Sequence, residues 1–598
     1  MASRKPYFGK CRKLVLSLDI GTTFSGVSYS ILDPGEIPRI NGVRRFPGQE
    51  GTASDSKIPS VVYYDKEGGV RACGAQATLS HVLLEAEDEK WIKVEWFKLH
   101  LQSHNELAAF SDEEMKYNFM TPVPPGKTII DIYADFVSYL YRCTRSYIVE
   151  THAGGDVLWK SVEGNIDFVF SHPDGWGGWQ QTKMRHAAVQ AGLIPDSLEG
   201  HARVQFVTEG EASIHYCIAS GLAIDSIKDD KTVMIVDAGG GTVDINTYQI
   251  ANDDTLSMEE IARPECIFHG STIVSFRARD FLKLKLSKST FGNDEDIEEM
   301  FKQFDKSAKP TFSSPGDSVF IKFGSMRDRD LKAGIRNGQL ALSGDEVASF
   351  FEPSISAIKQ AIKRQLDEAE KPVSTVFLVG GFAASPYLFS QLNEYCVTLC
   401  VAFSRPDNHT HKAVAEGAIS YYLDHFVSAR IARFTYGTDC VTDYDAANPE
   451  HARRSNNVHS NASGRRVVGP CFSTILERGT KISEEAEFEK PFIQESLYSY
   501  KLDTIEADIL RYKGSMKNPR WTDSEPDMFS KLCTVTADTS SVPKMPVLGK
   551  TGIYYKQKYR VVLSFGLTEL KAQLSWIENG EERRGPATIV YDDELAIQ

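Results

Sequence analysis

Thr232–Ile250 reads TVMIVDAGGGTVDINTYQI, and the fold turns on how that stretch is understood. Val233–Val236 is a short apolar run of the kind that forms a buried strand. Asp237 follows at its end, then Gly239, Gly240 and Gly241, then Thr242 and a second alternating run. Three glycines let a ligand approach the main chain with no Cβ in the way. Successive amide N–H groups in such a turn form an anion-binding concavity. Asp237 would stand at its rim, where a divalent cation or an attacking water would sit. Taken alone, the stretch reads first as an ordinary hairpin with a glycine turn.

A second copy changes the reading. Leu14–Ser30, LVLSLDIGTTFSGVSYS, has the same form: apolar strand, Asp19, Gly21, Thr22 and Thr23, then another strand. Self-similarity far apart in one chain marks a duplicated structural unit. A third glycine turn lies in VFLVGGFAASPYLFSQL (Val376–Leu392), where a buried strand runs into Gly380–Gly381. A helix opened by Ser385 and Pro386 follows. Two phosphate hairpins facing each other, with a Gly–Gly turn for a nucleoside, make one coherent nucleotide cleft.

The bulk composition narrows the classes. At 598 residues the chain is too long for one core. A net charge of -14 argues against a general nucleic-acid binder, because nothing offsets phosphate repulsion. No apolar run approaches a membrane span, and the basic start MASRKPYFGKCRK lacks the apolar core of a signal peptide. The ten cysteines form no CxxC pairs, which fits free thiols in a reducing, cytoplasmic compartment. Sequons at Asn408 and Asn461 read as chance occurrences in such a chain.

The set DIGTTFSG, VDAGGGTVD and LVGGFAAS resembles the actin-fold ATPases, and specifically the heat shock 70 kDa protein (DnaK-like) family. The likeness is nearest to its divergent, lidless heat shock 70 kDa protein 12 type branch, which includes fungal members. The resemblance implies an α/β fold: a duplicated actin-like (ribonuclease H-like) ATPase domain at 1–428, with lobes at about 1–220 and 221–428. A smaller β-sandwich domain for substrate segments would occupy 429–598, with no helical lid. It further implies ATP/ADP and Mg2+ as ligands. Asp19 and Glu209, with Glu211 as the alternative to Glu209, would hold the metal through water, Asp237 would orient or deprotonate the attacking water, and Lys98 in KWIKVEWFKLHL would reach the γ-phosphate. Gly21, Thr22 and Thr23 would bind phosphate oxygens, with Gly239, Gly240, Gly241 and Thr242 gripping them from the other side. Gly270, Lys309, Gly380, Gly381 and Ala384 complete the implied nucleotide contacts. Asp244 would buttress the second hairpin, and Pro173 stands where the family relays nucleotide state. The arginine that the family sets against adenine has no counterpart in register here.

Other segments carry structural signals. Ile129–Glu150 has apolar residues at helical spacing. Ser343 and Glu346 have the spacing of a capping box, opening a helix through Val347, Ile355, Ile362 and Leu366. Beyond Ala413–Leu423, the family's acidic, leucine-rich linker is replaced by VSARIARF, and alternating strand patterns follow. Glu578–Asn579–Gly580 reads as a hairpin turn.

Three functions compete. The first is a chaperone-like, slow ATPase of the stress response, whose β-sandwich binds unfolded or extended polypeptide segments, with co-chaperones as further partners. The second is a nucleotide-gated scaffold with little hydrolysis. The third, a small-molecule kinase on the same fold, would leave the strand-rich tail unexplained.

Overall fold

The computed structural model describes residues 4–49, 57–101, 123–221, 231–252, 256–405, 412–483, 486–566, 569–585 and 588–589. The sequon at Asn408 lies outside them. The chain divides into two compact units, one of Met1–Trp176 with Lys183–Val427, the other of Gly177–Thr182 with Ser428–Gln598.

In the larger unit, β1 (Lys13–Ile20) and β2 (Phe24–Leu32) make an antiparallel hairpin. The helix α1 (Ile129–Thr151) then leads to β3 (Ile166–His172), parallel to β1, and β4 (Val204–Thr208), parallel to β3. α1 is opened by a capping box of Thr128 and Asp131 and buries Ile132, Phe136 and Leu140. The helix α2 (Glu209–Ala219) starts directly from the end of β4.

The second half repeats the pattern. β5 (Thr232–Ala238) and β6 (Val243–Asn252) form the antiparallel hairpin, with β7 (Leu256–Glu260) beside β6. After the helices α3 (Ser271–Lys285) and α4 (Gly344–Glu368) comes β8 (Thr375–Val379), parallel to β5. The helix α5 (Pro386–Thr398) leads to β9 (Ala402–Ser404), parallel to β8. The orders β2-β1-β3-β4 and β6-β5-β8-β9 therefore match in sequence and in sense. β5 is buried along its whole length, as expected of a strand covered on both faces.

α4 bears out the capping box at Ser343 and Glu346 and runs through Pro353. A proline removes one helical hydrogen bond. The buried side chains around it, Phe350, Phe351, Ile355 and Ile358, each stabilise by about 1.5–3 kcal/mol, which offsets that loss.

The helix α6 (Ala413–Asp424) packs on α2 at backbone distance: a Cβ on Gly417 would lie 1.8 Å from the carbonyl oxygen of Ala212. Ser17 of β1 donates to the Ala415 carbonyl at 2.6 Å. The start of α2 is thus pinned beside the end of β1.

The smaller unit contains two antiparallel sheets. One has the order Arg466–Leu476, Thr435–Asp443, Thr504–Tyr512, Phe529–Asp538. The other runs Glu487–Ser496, Ile553–Gly566, Glu569–Glu578, Glu581–Arg584. Ile505, Ile509 and Val535 from the first share one core with Val561, Leu563 and Leu574 from the second. The turn at Asn579 and Gly580 has φ of 52° and 86°, the two positive values that a type I′ hairpin needs. Among the described residues of 428–598, the longest helix is Pro449–Arg453.

Candidate active site

The β1–β2 and β5–β6 hairpins meet tip to tip. A Cβ built on Gly240 would lie 2.4 Å from Thr23 Oγ1, and one on Gly241 would lie 2.6 Å from Thr22 Oγ1. Only glycine allows the two turns this close. Between them and the Gly380–Gly381 turn is a cavity of about 250 Å³. Its lining holds Asp19, Gly21, Thr22, Thr23, Lys98, Glu209, Asp237, Gly239, Gly240, Gly241, Thr242, Gly380 and Gly381, together with Phe24, Lys57 and Val414.

The second hairpin is oriented by α3. The amides of Gly270, Ser271 and Thr272 donate to the carbonyls of Gly241, Gly239 and Gly240 at 3.2, 3.1 and 2.9 Å, and Thr272 Oγ1 adds a 2.9 Å bond to Gly240. The otherwise unpaired first amides of the helix are thereby satisfied. In a planar trans peptide the N–H points opposite to the C=O, so carbonyls committed to α3 turn the amide edge of the glycine turn toward the cavity. Gly270 is outside the cavity lining. A Cβ there would lie 2.3 Å from the Gly240 carbonyl oxygen, so its place is behind the hairpin.

The charged groups are paired. Lys98 Nζ donates to Glu209 Oε1 at 2.5 Å and sits 5.3 Å from the Trp176 ring centroid. Lys57 Nζ lies 2.7 Å from Asp19 Oδ2, and Ser171 donates to Asp19 Oδ1 at 3.2 Å. Ser213 donates to Asp237 Oδ2 at 2.7 Å. Burial, then the neighbouring Glu209, pushes the Asp237 carboxyl up to about 7. Glu209 is also raised by burial, opposed by Lys98. Burial disfavours the charge on Lys57, but Asp19, Asp237 and Glu209 outweigh it and hold the ammonium above its ordinary range.

Gly380 has φ +91°, and a Cβ there would come within 2.4 Å of Asp237 Oδ1. Gly381 has open space where its side chain would be. Ala384 ends the short turn Phe382–Ala384 and lies outside the cavity lining. Lys309 is also outside it, bonded to Asp305 and, at 2.8 Å, to Ser275 Oγ of α3. Asp244, off the cavity too, accepts the Asp174 amide at 2.6 Å, and burial and Asp174 raise its carboxyl well above the usual range. Asp174 in turn accepts from Gly210 and Asn246, both at 3.2 Å. This tie joins the segment after Pro173 to the start of α2 and to β6.

Sequence reasoning gave no role to Lys57, Ser171 or Ser213. Nor did it find Arg405, which follows β9 and donates to the Ala383 carbonyl at 2.9 Å beside the Gly–Gly turn. No spacing in the sequence marks Lys57, because its approach to Asp19 depends on the register of separate strands. Among the described residues, no group of three or more His, Cys, Asp or Glu side chains is gathered for direct metal ligation. The carboxylates of Asp19 and Glu209 on the cavity wall are the hard oxygen donors that Mg2+ takes through retained water, and to that extent the residues fit the ion.

Two α/β halves of matched strand order, with a cleft between two Asp–Gly hairpins and a Gly–Gly turn, are consistent with the class of actin-like ATPases. The chain is similar to "Heat shock 70 kDa protein 12A" of Mus musculus and of Homo sapiens. Each is 24% identical over 517 aligned residues, which cover 72% of this chain and 72% of the relative. The resemblance to the heat shock 70 kDa family read from the motifs is thereby borne out. No protein-family profile matches the chain. Among the described residues, no helix is long and apolar enough to cross a membrane.

Proposed function

We propose that this protein is a chaperone-like, adenine nucleotide-binding protein that slowly hydrolyses ATP in the hairpin cleft. The observation that carries the reading is the pair of glycine turns held face to face over a cavity lined by Asp19, Lys98, Glu209 and Asp237. In the proposed reaction a water oxygen attacks the γ-phosphorus, the bond to the ADP oxygen breaks, and the water proton passes to Asp237. A carboxyl near pKa 7 is matched to that task at neutral pH. Gly21, Thr22 and Thr23 bind phosphate oxygens from one side, Gly239–Thr242 from the other, and Lys98 stabilises charge on the transferred group. Gly380 and Gly381 receive the nucleoside, with Arg405 close by. Mg2+, held through water by Asp19 and Glu209, supplies neutralisation of phosphate charge when bound.

The nucleotide-binding region is proposed as 1–428 and the substrate-binding region as 429–598. Extended polypeptide segments are the proposed ligand of the latter. Supporting this is a groove of about 1030 Å³ in the smaller unit, with Phe492, Ile493 and Tyr559 among its walls. A cytoplasmic location and co-chaperone partners belong to the same proposal.

A second reading, a nucleotide-gated scaffold with little hydrolysis, is favoured by one observation: Asp19 and Glu209 are each already held by a lysine. Calorimetry with ATP and ADP tests the binding step, and single-turnover hydrolysis with and without unfolded polypeptide tests the chemistry. No nucleotide binding by the folded protein would sink both readings. Binding without turnover leaves the scaffold.

A further inference from the structure

We infer that Lys57 is a built-in cation of the cleft that makes nucleotide binding only weakly dependent on Mg2+. The inference rests on the nucleotide-binding reading above. Asp19 on β1 is opposite Gly26 on β2, and Gly26 is opposite Lys57 on the short strand Lys57–Pro59. Residues directly opposite in neighbouring antiparallel strands share a face of the sheet. The three therefore form one row, and the middle member has no side chain. With no Cβ on Gly26 between them, the Lys57 ammonium reaches Asp19 Oδ2 at 2.7 Å.

The row is braced. Ser60 donates its amide to the Thr23 carbonyl at 2.8 Å and its hydroxyl to the Gly21 carbonyl at 2.7 Å. The strand that carries Lys57 is thus tied to the first hairpin turn itself. Only 17% of the Lys57 side chain is exposed, and it lines the same cavity as Thr22 and Thr23.

The charges in the cavity come close to balance without a metal. Lys57 answers Asp19, Lys98 answers Glu209, and Asp237 is partly neutral near pH 7. An ammonium carries three N–H donors, so Lys57 can hold Asp19 and a phosphate oxygen together. It is a fixed positive charge next to the carboxylate through which Mg2+ would be recruited. A di- or triphosphate entering the cleft would find there part of the neutralisation that the metal otherwise supplies.

The test is calorimetric affinity for ATP and ADP, with magnesium and with excess chelator, for the wild type, Lys57→Met and Lys57→Arg. Wild type is expected to lose less than about tenfold on chelation. Lys57→Met is expected to lose affinity under both conditions, with a further loss in chelator beyond that in magnesium of roughly 10- to 150-fold, the scale of one hydrogen bond to a charged group. Lys57→Arg should keep the resistance to chelator. Wild-type binding that is tight in magnesium and falls more than a hundredfold in chelator overturns this inference alone, and that arm needs no variant. Equal chelator sensitivity of Lys57→Met and wild type also overturns it. No binding by wild type in either condition overturns the nucleotide reading together with this one.

Discussion

Replacing Gly240 with alanine tests whether the two glycine hairpins stand face to face. The added Cβ would lie 2.4 Å from Thr23 Oγ1, 2.9 Å from Thr23 Cγ2 and 3.2 Å from Thr23 Cβ. Favourable carbon contacts lie near 3.5–4.0 Å, so the turns must part by roughly 1 Å. Rotating Thr23 gives only partial relief. Its Cβ carries two heavy atoms, so every staggered χ1 leaves at least one of them in the two positions that face Gly240. Overpacking of this kind costs about 1–3 kcal/mol. Thr23→Ala removes the two nearest atoms and leaves only the 3.2 Å contact, so in the Gly240→Ala background it should recover most of the loss. The cycle of wild type, two single variants and the double variant, followed by thermal or denaturant unfolding, should give a favourable coupling of about 1–2 kcal/mol, inside the range for residues in contact. Calorimetry on the same four proteins should show ATP affinity reduced in Gly240→Ala and partly restored in the double variant. Gly240→Ala as stable as wild type, or effects that add to within about 0.3 kcal/mol, would refute the opposed-hairpin geometry.

Four further outcomes are expected. The Asp237 carboxyl is raised in the folded state from 3.8 to about 7, so the folded protein holds a proton there that the unfolded chain releases. Its contribution to stability is therefore full below about pH 4 and is lost as pH rises through about 7. Asp237→Asn should flatten that slope in pH-dependent melting, and single-turnover hydrolysis, rising through about pH 7 in wild type, should be slow and flat in the variant. Lys98→Ala leaves Glu209 buried without its ammonium, at a cost of about 3–5 kcal/mol. It should slow hydrolysis by roughly ten- to a thousandfold, and Lys98→Ala combined with Glu209→Gln should melt higher than Lys98→Ala alone. Gly417→Ala sets a Cβ 1.8 Å from the Ala212 carbonyl oxygen, a backbone atom that cannot rotate away, and should lower the melting temperature more than Gly240→Ala. Gly381→Ala, with open space around it, should stay within about 0.5 kcal/mol of wild type, and a large loss there would contradict the packing.

The local elements were legible because their causes are local. Asp19 and Asp237 stand at strand ends because an apolar run ends there and a glycine turn begins. The opening of α4 follows from Ser343 and Glu346, three residues apart, satisfying each other's backbone amides. Positive φ at Asn579 and Gly580 follows from the residue types in the turn. Even the repeated hairpin could be read twice over in one chain, since each copy is short and contiguous.

What only tertiary structure decided is which of these pieces touch. Gly270 sits behind its hairpin because the first amides of α3 needed carbonyl partners, and Lys309, paired with Asp305 one turn earlier on its own helical stretch, is also held by Ser275 of α3. Asp237 is raised by the depth at which β5 is buried and by Glu209, more than twenty residues earlier in the chain. Lys57 reaches Asp19 because three strands, registered by turns and by the Ser60 brace, lie side by side with a glycine between them. Sequence spacing encodes contacts along one element. Contacts across elements depend on register and packing depth, which no single stretch contains, and here those contacts set the charge of the cleft.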